Sequence, residues 1–401
     1  MAVEVVMAAV TVGEAEMVGA TGATAMALSH LHPICRTGGT QLLLVAMVLP
    51  VALFAQAASR IRPVPIDSME PVTGSVERVN APVDRKTALD GLSRARQSFS
   101  LRTAGLAYDI KVSFQVDSKG QTNYDGVWTM EETFAPNYGI HWTARAASGY
   151  AVTRISSKNG VYQEGNAGVI PLRLQEVRGI LFDPVQSSAY ANRGTIRKSA
   201  SSFHGMTVTC VLLSRSSSPP PLATGRDWEE TEECFDPQTG LLQMHSEVPG
   251  RYVLYDYANA PRLGDRVLPR RATVIEGGRT VSSISVDSAE LIPAPDPNLF
   301  TPTDTMKANG PAIAIGTATK MTRVAGNRPV TPATNLEPVC VFGVLSPAGR
   351  LVEAHSLQPR DPNSQAAVDD ALQINFAPEI PAGSAPSQHF VFVVEEFPSG
   401  Q

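Results

Sequence analysis

Residues 106–116 read LAYDIKVSFQV. Ile110, Val112, Phe114 and Val116 recur at every second position, with polar residues between them. That period places the apolar side chains on one face of an extended strand. A polar turn follows at Asp117-Ser118-Lys119-Gly120, and residues 122–132 return with Tyr124, Val127 and Trp128. Two such runs around a Gly-containing turn predict a β-hairpin. Outward from it, strand patterns recur at 141–146, 149–156, 160–164, 195–199, 206–213, 228–235, 241–247, 251–257, 267–276 and 280–291. Two helices interrupt them. One covers residues 84–98, with Leu89 and Leu92 on one side, and the other covers 171–183 (PLRLQEVRGILFD). The fold class read from this order is α+β, a large antiparallel sheet around one or two helices.

The flanks divide the chain further. Residues 59–83 are Pro-rich without sustained period and read as a linker, and 303–335, rich in Thr, Ala and Gly, read as a second. The β-rich domain is thus bounded at 84–302. Pattern returns at 336–401: an apolar strand (EPVCVFGVL), a turn at Ser346–Gly349, a second strand, a helix over 361–373 with Asp361 as its N-cap and Pro362 at its first position, and a closing strand, QHFVFVVEEF. The order is ββαβ in roughly sixty residues.

The N-terminus carries an address. Residues 42–58 read LLLVAMVLPVALFAQAA, a short apolar run ending in Ala55-Gln56-Ala57. An apolar core with a small-x-small ending reads as a secretory signal, which with the extension before it fills residues 1–58. An uncleaved N-terminal anchor is the competing reading. Both place the rest of the chain in the periplasm or cell envelope, where thiols oxidise. Of the four cysteines, Cys35 precedes the apolar run and Cys340 stands alone. Cys210 and Cys234 flank one loop and are expected to bond.

Chemistry-bearing motifs are sparse. There is no GxSxG, HExxH, P-loop or dinucleotide fingerprint, so neither an enzyme nor a cofactor is expected. The seven histidines are scattered without ligand spacing, and no metal site is expected. The net charge of −5, with no basic stripe, gives no reason to expect nucleic acid. Glu229, Glu230, Glu232 and Glu233 read as a solvated acidic strand. Trp128, Phe134, Tyr138 and Trp142 crowd into a short stretch and are candidate lining for an apolar ligand such as a lipid, against the plainer reading of core. Phe390, Val391, Phe392 and Val393, in the closing strand, are candidates for pairing with a partner protein through a sheet edge.

Two resemblances add to this. VCVFGVLSPAGRLVEAHSL, ALQINFAPEI with its Asn375-Phe376-Ala377-Pro378 corner, and GSAPSQHFVFVVEEF resemble the C-terminal domain of TonB-type energy transducers over about 337–397. Ile374 stands where that family carries an aromatic residue. Residues 84–302 are similar, more weakly, to periplasmic lipoprotein carriers with an incomplete β-barrel, in strand order, in the CFDPQTGLL stretch from Cys234, in Tyr255-Asp256-Tyr257 and in Leu299-Phe300. The resemblances imply an exported envelope protein that binds a partner protein or apolar ligand without catalysis. The alternatives are a TonB-like transducer kept by an uncleaved anchor, and an exported hydrolase whose site is dispersed in sequence.

Overall fold

In the computed structural model, residues 5–6, 76–166, 168–185, 194–203, 206–214, 226, 230–312, 321–323, 336–378 and 386–398 are described. The proposed signal segment at 42–58 lies outside them. Among the described residues, no helix is long and apolar enough to cross a membrane.

The chain begins with β1 (Val5–Val6), β2 (Val76–Arg78) and helix α1 (Pro82–Phe99). The predicted hairpin is β3 (Tyr108–Val116) and β4 (Gly126–Ala135), continued by β5 (Gly139–Ala146), β6 (Ala151–Ser157) and β7 (Gly160–Gly165). Helix α2 (Leu172–Phe182) precedes β8 (Thr195–Phe203), β9 (Met206–Ser214), β10 (Glu230–Phe235), β11 (Leu242–Val248) and β12 (Arg251–Asp256). A small hairpin, β13 (Arg262–Leu263) and β14 (Arg266–Val267), leads to β15 (Arg271–Glu276) and β16 (Arg279–Leu291). Thirteen strands form one sheet, in the order β2-β8-β9-β10-β11-β12-β15-β16-β3-β4-β5-β6-β7. Every pairing in it is antiparallel.

One face of this sheet closes on the two helices. Strand β3 alternates buried and part-exposed residues along its whole length, as its period requires. Helix α1 turns Ala88, Leu92, Ala95 and Phe99 into the same core. Gly91 lets α1 lie close on β10, because a Cβ there would meet the Phe235 ring at 2.7 Å. Helix α2 is buried on every side, including its charged residues. A helix of that kind needs an ionic partner for each charge.

The segments read as linkers are in part built into the fold. Strand β2, from the first, pairs with β8. In the second, Thr303 caps helix α3 (Asp304–Asn309) through Met306 N–H, the Met306 side chain is fully buried, and the Thr303 hydroxyl donates to Glu164 at 2.5 Å. Ala312 N–H then bonds to the Val161 carbonyl on β7. Strand β17 (Met321–Arg323) pairs with β20 (Phe376–Pro378). Residues 313–320 and 324–335 lie outside the described set.

The C-terminal module contains β18 (Leu336–Leu345), β19 (Leu351–Ser356), helix α4 (Ser364–Leu372), β20 and β21 (His389–Pro398). Its sheet runs β1-β21-β18-β19, with Val5 opposite Val393 and Val6 opposite Phe392. Helix α4 starts later than read. Asn363 is its N-cap residue, while Asp361 accepts instead from Asn363 N–H in the preceding turn. One face of the module's sheet, with Val339, Val341, Val391 and Val393, packs on Ala367 and Ala371 of α4. The other face carries Phe342, Val344, Phe392 and Val394 and packs on Leu172 and Val248 of the large domain. The module is therefore seated on the sheet domain.

Candidate functional site: a buried ionic junction under the C-terminal module

The junction is built from the first turns of α2, the facing ends of β11, β12 and β15, and the module. Arg173 donates to Glu276 at 2.7 and 3.0 Å, to Glu176 at 3.0 Å, and across the junction to Glu353 of β19 at 2.6 Å. Arg251 donates to Glu276 at 2.9 Å and also pairs with Glu176 and Glu247. His355 Nε2 lies 2.7 Å from Glu276. The Phe342 ring lies under both guanidiniums, 5.1 Å from Arg173 and 4.8 Å from Arg251. Such stacking suits arginine, whose delocalised cation is weakly hydrated.

The ionic chain continues along β11. Glu247 lies 3.7 Å from His245 Nε2, and His245 Nδ1 lies 2.9 Å from Glu233 on β10. Burial opposes ionisation of Glu176, Glu233, Glu247 and Glu276. For Glu276, Arg173, His355 and Arg251 outweigh it and hold the group well below the usual carboxylate range. Glu247 is likewise held at about 2 by Arg251 and His245. For Glu176 and Glu233 burial wins, and both are raised. Burial also opposes charging His245, but Glu233 and Glu247 lift it to about 10.

A second cluster lies within the sheet domain. Glu132 on β4 accepts from Arg102 at 2.7 Å, from the Tyr108 hydroxyl at 2.8 Å and from Arg178 of α2 at 3.1 Å. Burial opposes its ionisation, yet Arg102 and Arg178 hold its carboxyl below the ordinary range. Arg178 also lies 4.7 Å over the Trp142 ring, and Arg102 lies 4.8 Å over Phe182.

Glu230, Glu232 and Glu233, read as a solvated strand, are all buried. Glu230 pairs with Arg197 at 2.5 Å, Glu232 with Arg226 at 3.4 Å and Glu233 with His245. Strand β10 is central in the sheet and covered on both faces, so each carboxylate needed a cation. Glu229 lies outside the described residues. Cys210 and Cys234 are bonded, as expected, directly across β9 and β10 with Cα atoms 4.0 Å apart. Cys340 is free and buried, and burial pushes its thiol up.

The aromatic candidates separate. Trp128, Phe134 and Trp142 lie in the core, with Trp128 stacked on Phe114 at 5.6 Å and Phe134 beside Tyr108 at 5.4 Å. Tyr138 is 40% exposed and stacks on Phe300 at 5.6 Å. Along β21, Val391, Phe392 and Val393 are buried and Phe390 is half-buried under Arg251, 5.7 Å away. The β19 edge is met by the large domain: Ala354 N–H donates to Gln121 Oε1 at 2.8 Å and Gln121 Nε2 returns to the Ala354 carbonyl. Gly277 permits close approach there, since a Cβ would lie 2.6 Å from the Ser356 carbonyl oxygen. On ligand count alone, Glu276, Glu353 and His355 could hold a cation, but Arg173 already occupies both carboxylates.

Sequence reasoning missed this junction. Its members lie far apart in the chain; Arg173 and Glu353 alone are 180 positions apart. The one local signal was a run of charged residues, Arg173, Glu176 and Arg178, inside an otherwise apolar helix.

No family model matches this chain, and no curated protein matches it. Solved structures give fold likenesses. A LolA superfamily protein from Nitrosomonas europaea is 12% identical, with 54% of this chain and 97% of that one covered at a TM-score of 0.35. A putative outer membrane lipoprotein-sorting protein domain from Vibrio parahaemolyticus is 8% identical, with 54% and 97% covered at 0.34. MucB, in the MucA/MucB complex from Pseudomonas aeruginosa, is 12% identical, with 77% and 94% covered at 0.27. None of the three is a TonB-type domain.

Proposed function

We propose that the protein is an exported envelope protein that binds a partner protein or an apolar ligand and performs no catalysis. The observation that carries this reading is the use of the ionisable side chains. Glu132, Glu230, Glu232, Glu247, Glu276 and Glu353 are buried and each is matched to an arginine, while Glu233 is matched to His245. A general acid or base must reach a substrate atom, and a carboxylate locked against a guanidinium in the core is placed to hold elements together. The disulfide supports export, because such bonds persist in oxidising compartments. The backbone edge of β21 supports strand pairing as a mode of binding, since Val5–Val6 of this chain adds to it as an antiparallel strand.

Native mass spectrometry of the full chain, purified gently from envelope extract, tests the reading. A retained apolar molecule or a stoichiometric protein is expected. Turnover of ester, peptide or glycoside substrates by the pure protein, without a retained partner, would point to the hydrolase alternative.

A further inference from the structure

We propose that the start of α2, with Val248 and Arg251, forms a recognition groove for an extended peptide, and that the chain's own C-terminal strand fills this groove in cis. The inference rests on the binding reading above and names the partner: a protein segment carrying an amide side chain, an aromatic residue two positions on, and apolar residues at the next two alternate positions.

The alternation is visible in the cis occupant. Gln388, Phe390, Phe392 and Val394 are spaced by two and all meet the sheet domain. Ile170 N–H donates to the Pro386 carbonyl at 2.9 Å and Gln388 N–H returns to the Ile170 carbonyl at 2.9 Å, a parallel bridge. Helix α2 has Pro171 as its N-cap residue and no side-chain cap of its own. Gln388 supplies one, accepting from Leu172 N–H at 3.0 Å, while Gln175 Nε2 donates to the Gln388 carbonyl at 3.0 Å. Phe390 lies under Arg251, and Phe392 and Val394 pack with Leu172 and Val248. One main-chain bridge at residues 386–388 sets the register, and beyond it the β21 main chain pairs with β18, so recognition by the sheet domain falls to the alternate side chains.

The seat joins the module through Arg173, Glu353, His355 and Glu276 beside the apolar contacts with Leu172 and Val248, and its ionic part yields little net stability compared with an apolar contact of equal volume. A tethered occupant masks the groove. If cis occupancy is near 99%, the apparent affinity for a partner falls about 100-fold.

The test uses the full chain and a labelled synthetic peptide of residues 386–398 (PSQHFVFVVEEFP). Two variants loosen the cis occupant without altering the groove: Glu353→Gln with Phe342→Ala, and Gln388→Ala with Phe390→Ala. Hydrogen exchange at Ile170 and Leu172 reports release. In a released variant, the peptide should bind at least about 30-fold more tightly than to the unsubstituted chain. A peptide lacking the Gln388 and Phe390 side chains should lose about tenfold or more. The proposal is overturned if neither variant is released, if release brings no peptide binding, or if a scrambled peptide binds equally. It is also overturned if light scattering shows that the released chain pairs with a second copy and excludes the peptide. Loss of the groove in these assays leaves the mass-spectrometric result untouched, so the two readings fail separately.

Discussion

The two buried ionic clusters use the same chemistry for different ends. Around Glu132, two arginines from the segment after α1 and from α2 converge on one carboxylate inside a single domain. At the junction, two arginines face four carboxylates, and one of those, Glu353, belongs to the module. The first cluster ties helices to sheet, so breaking it should unsettle the whole domain. The second ties two modules together, so breaking it should free one of them. A buried charge is costly wherever it loses its partner; what differs is how much structure can move to rehydrate it.

The largest effect is expected at Glu132. Glu132→Ala leaves Arg102 and Arg178 facing each other without a counter-ion, and global stability should fall by about 3–5 kcal/mol in denaturant unfolding. A loss under about 1 kcal/mol would show that solvent already reaches those guanidiniums.

Arg173→Met should cost about 3 kcal/mol, again from uncompensated buried charge. Here the loss should be local. Amides of β18 and β21 should exchange faster while those of β3 and β4 stay protected. Uniform acceleration across both regions would erase the contrast between the clusters. Breaking the Cys210–Cys234 bond, by Cys→Ser at both sites, should cost roughly 3 kcal/mol for a loop of this length. That change should not alter exchange at the junction.

The pH dependence sharpens the comparison further. His245 is raised to about 10, so its contribution is full below its unfolded value of about 6.5 and is lost as pH rises toward 10. Glu247 is held at about 2, so its contribution is full above an ordinary carboxylate value of about 4 and is lost as pH falls toward 2. Unfolding free energy should therefore decline on both sides of a plateau between these limits, and His245→Gln should flatten the alkaline limb. The smallest effect is expected at the helix cap that Gln388 supplies from the module. Gln388→Ala should cost about 1 kcal/mol, felt at the start of α2.

Much of the architecture was legible because it follows from periodicity. The hairpin of β3 and β4 and both long helices follow from apolar spacing and turn residues, while the module carries one strand, β20, more than the ββαβ order read for it. Side-chain roles were less legible. Glu230, Glu232 and Glu233 look solvated in sequence, because the cations that neutralise them, Arg197, Arg226 and His245, are distant from them or outside their strand. Thr303 and Met306 show the same limit, since a linker composition concealed one good cap and one buried anchor. The disulfide was legible, because an expected oxidising compartment and the loop position sufficed without knowledge of the fold.

Hydrogen exchange of the Ile170, Leu172 and Gln388 amides tests the seating of the module most directly. In the unsubstituted protein all three should exchange slowly, near the protection of β18. In Arg173→Met they should accelerate together while Val112 and Met130 remain protected. Fast exchange of the three amides in the unsubstituted protein would contradict the docked junction on which the account depends.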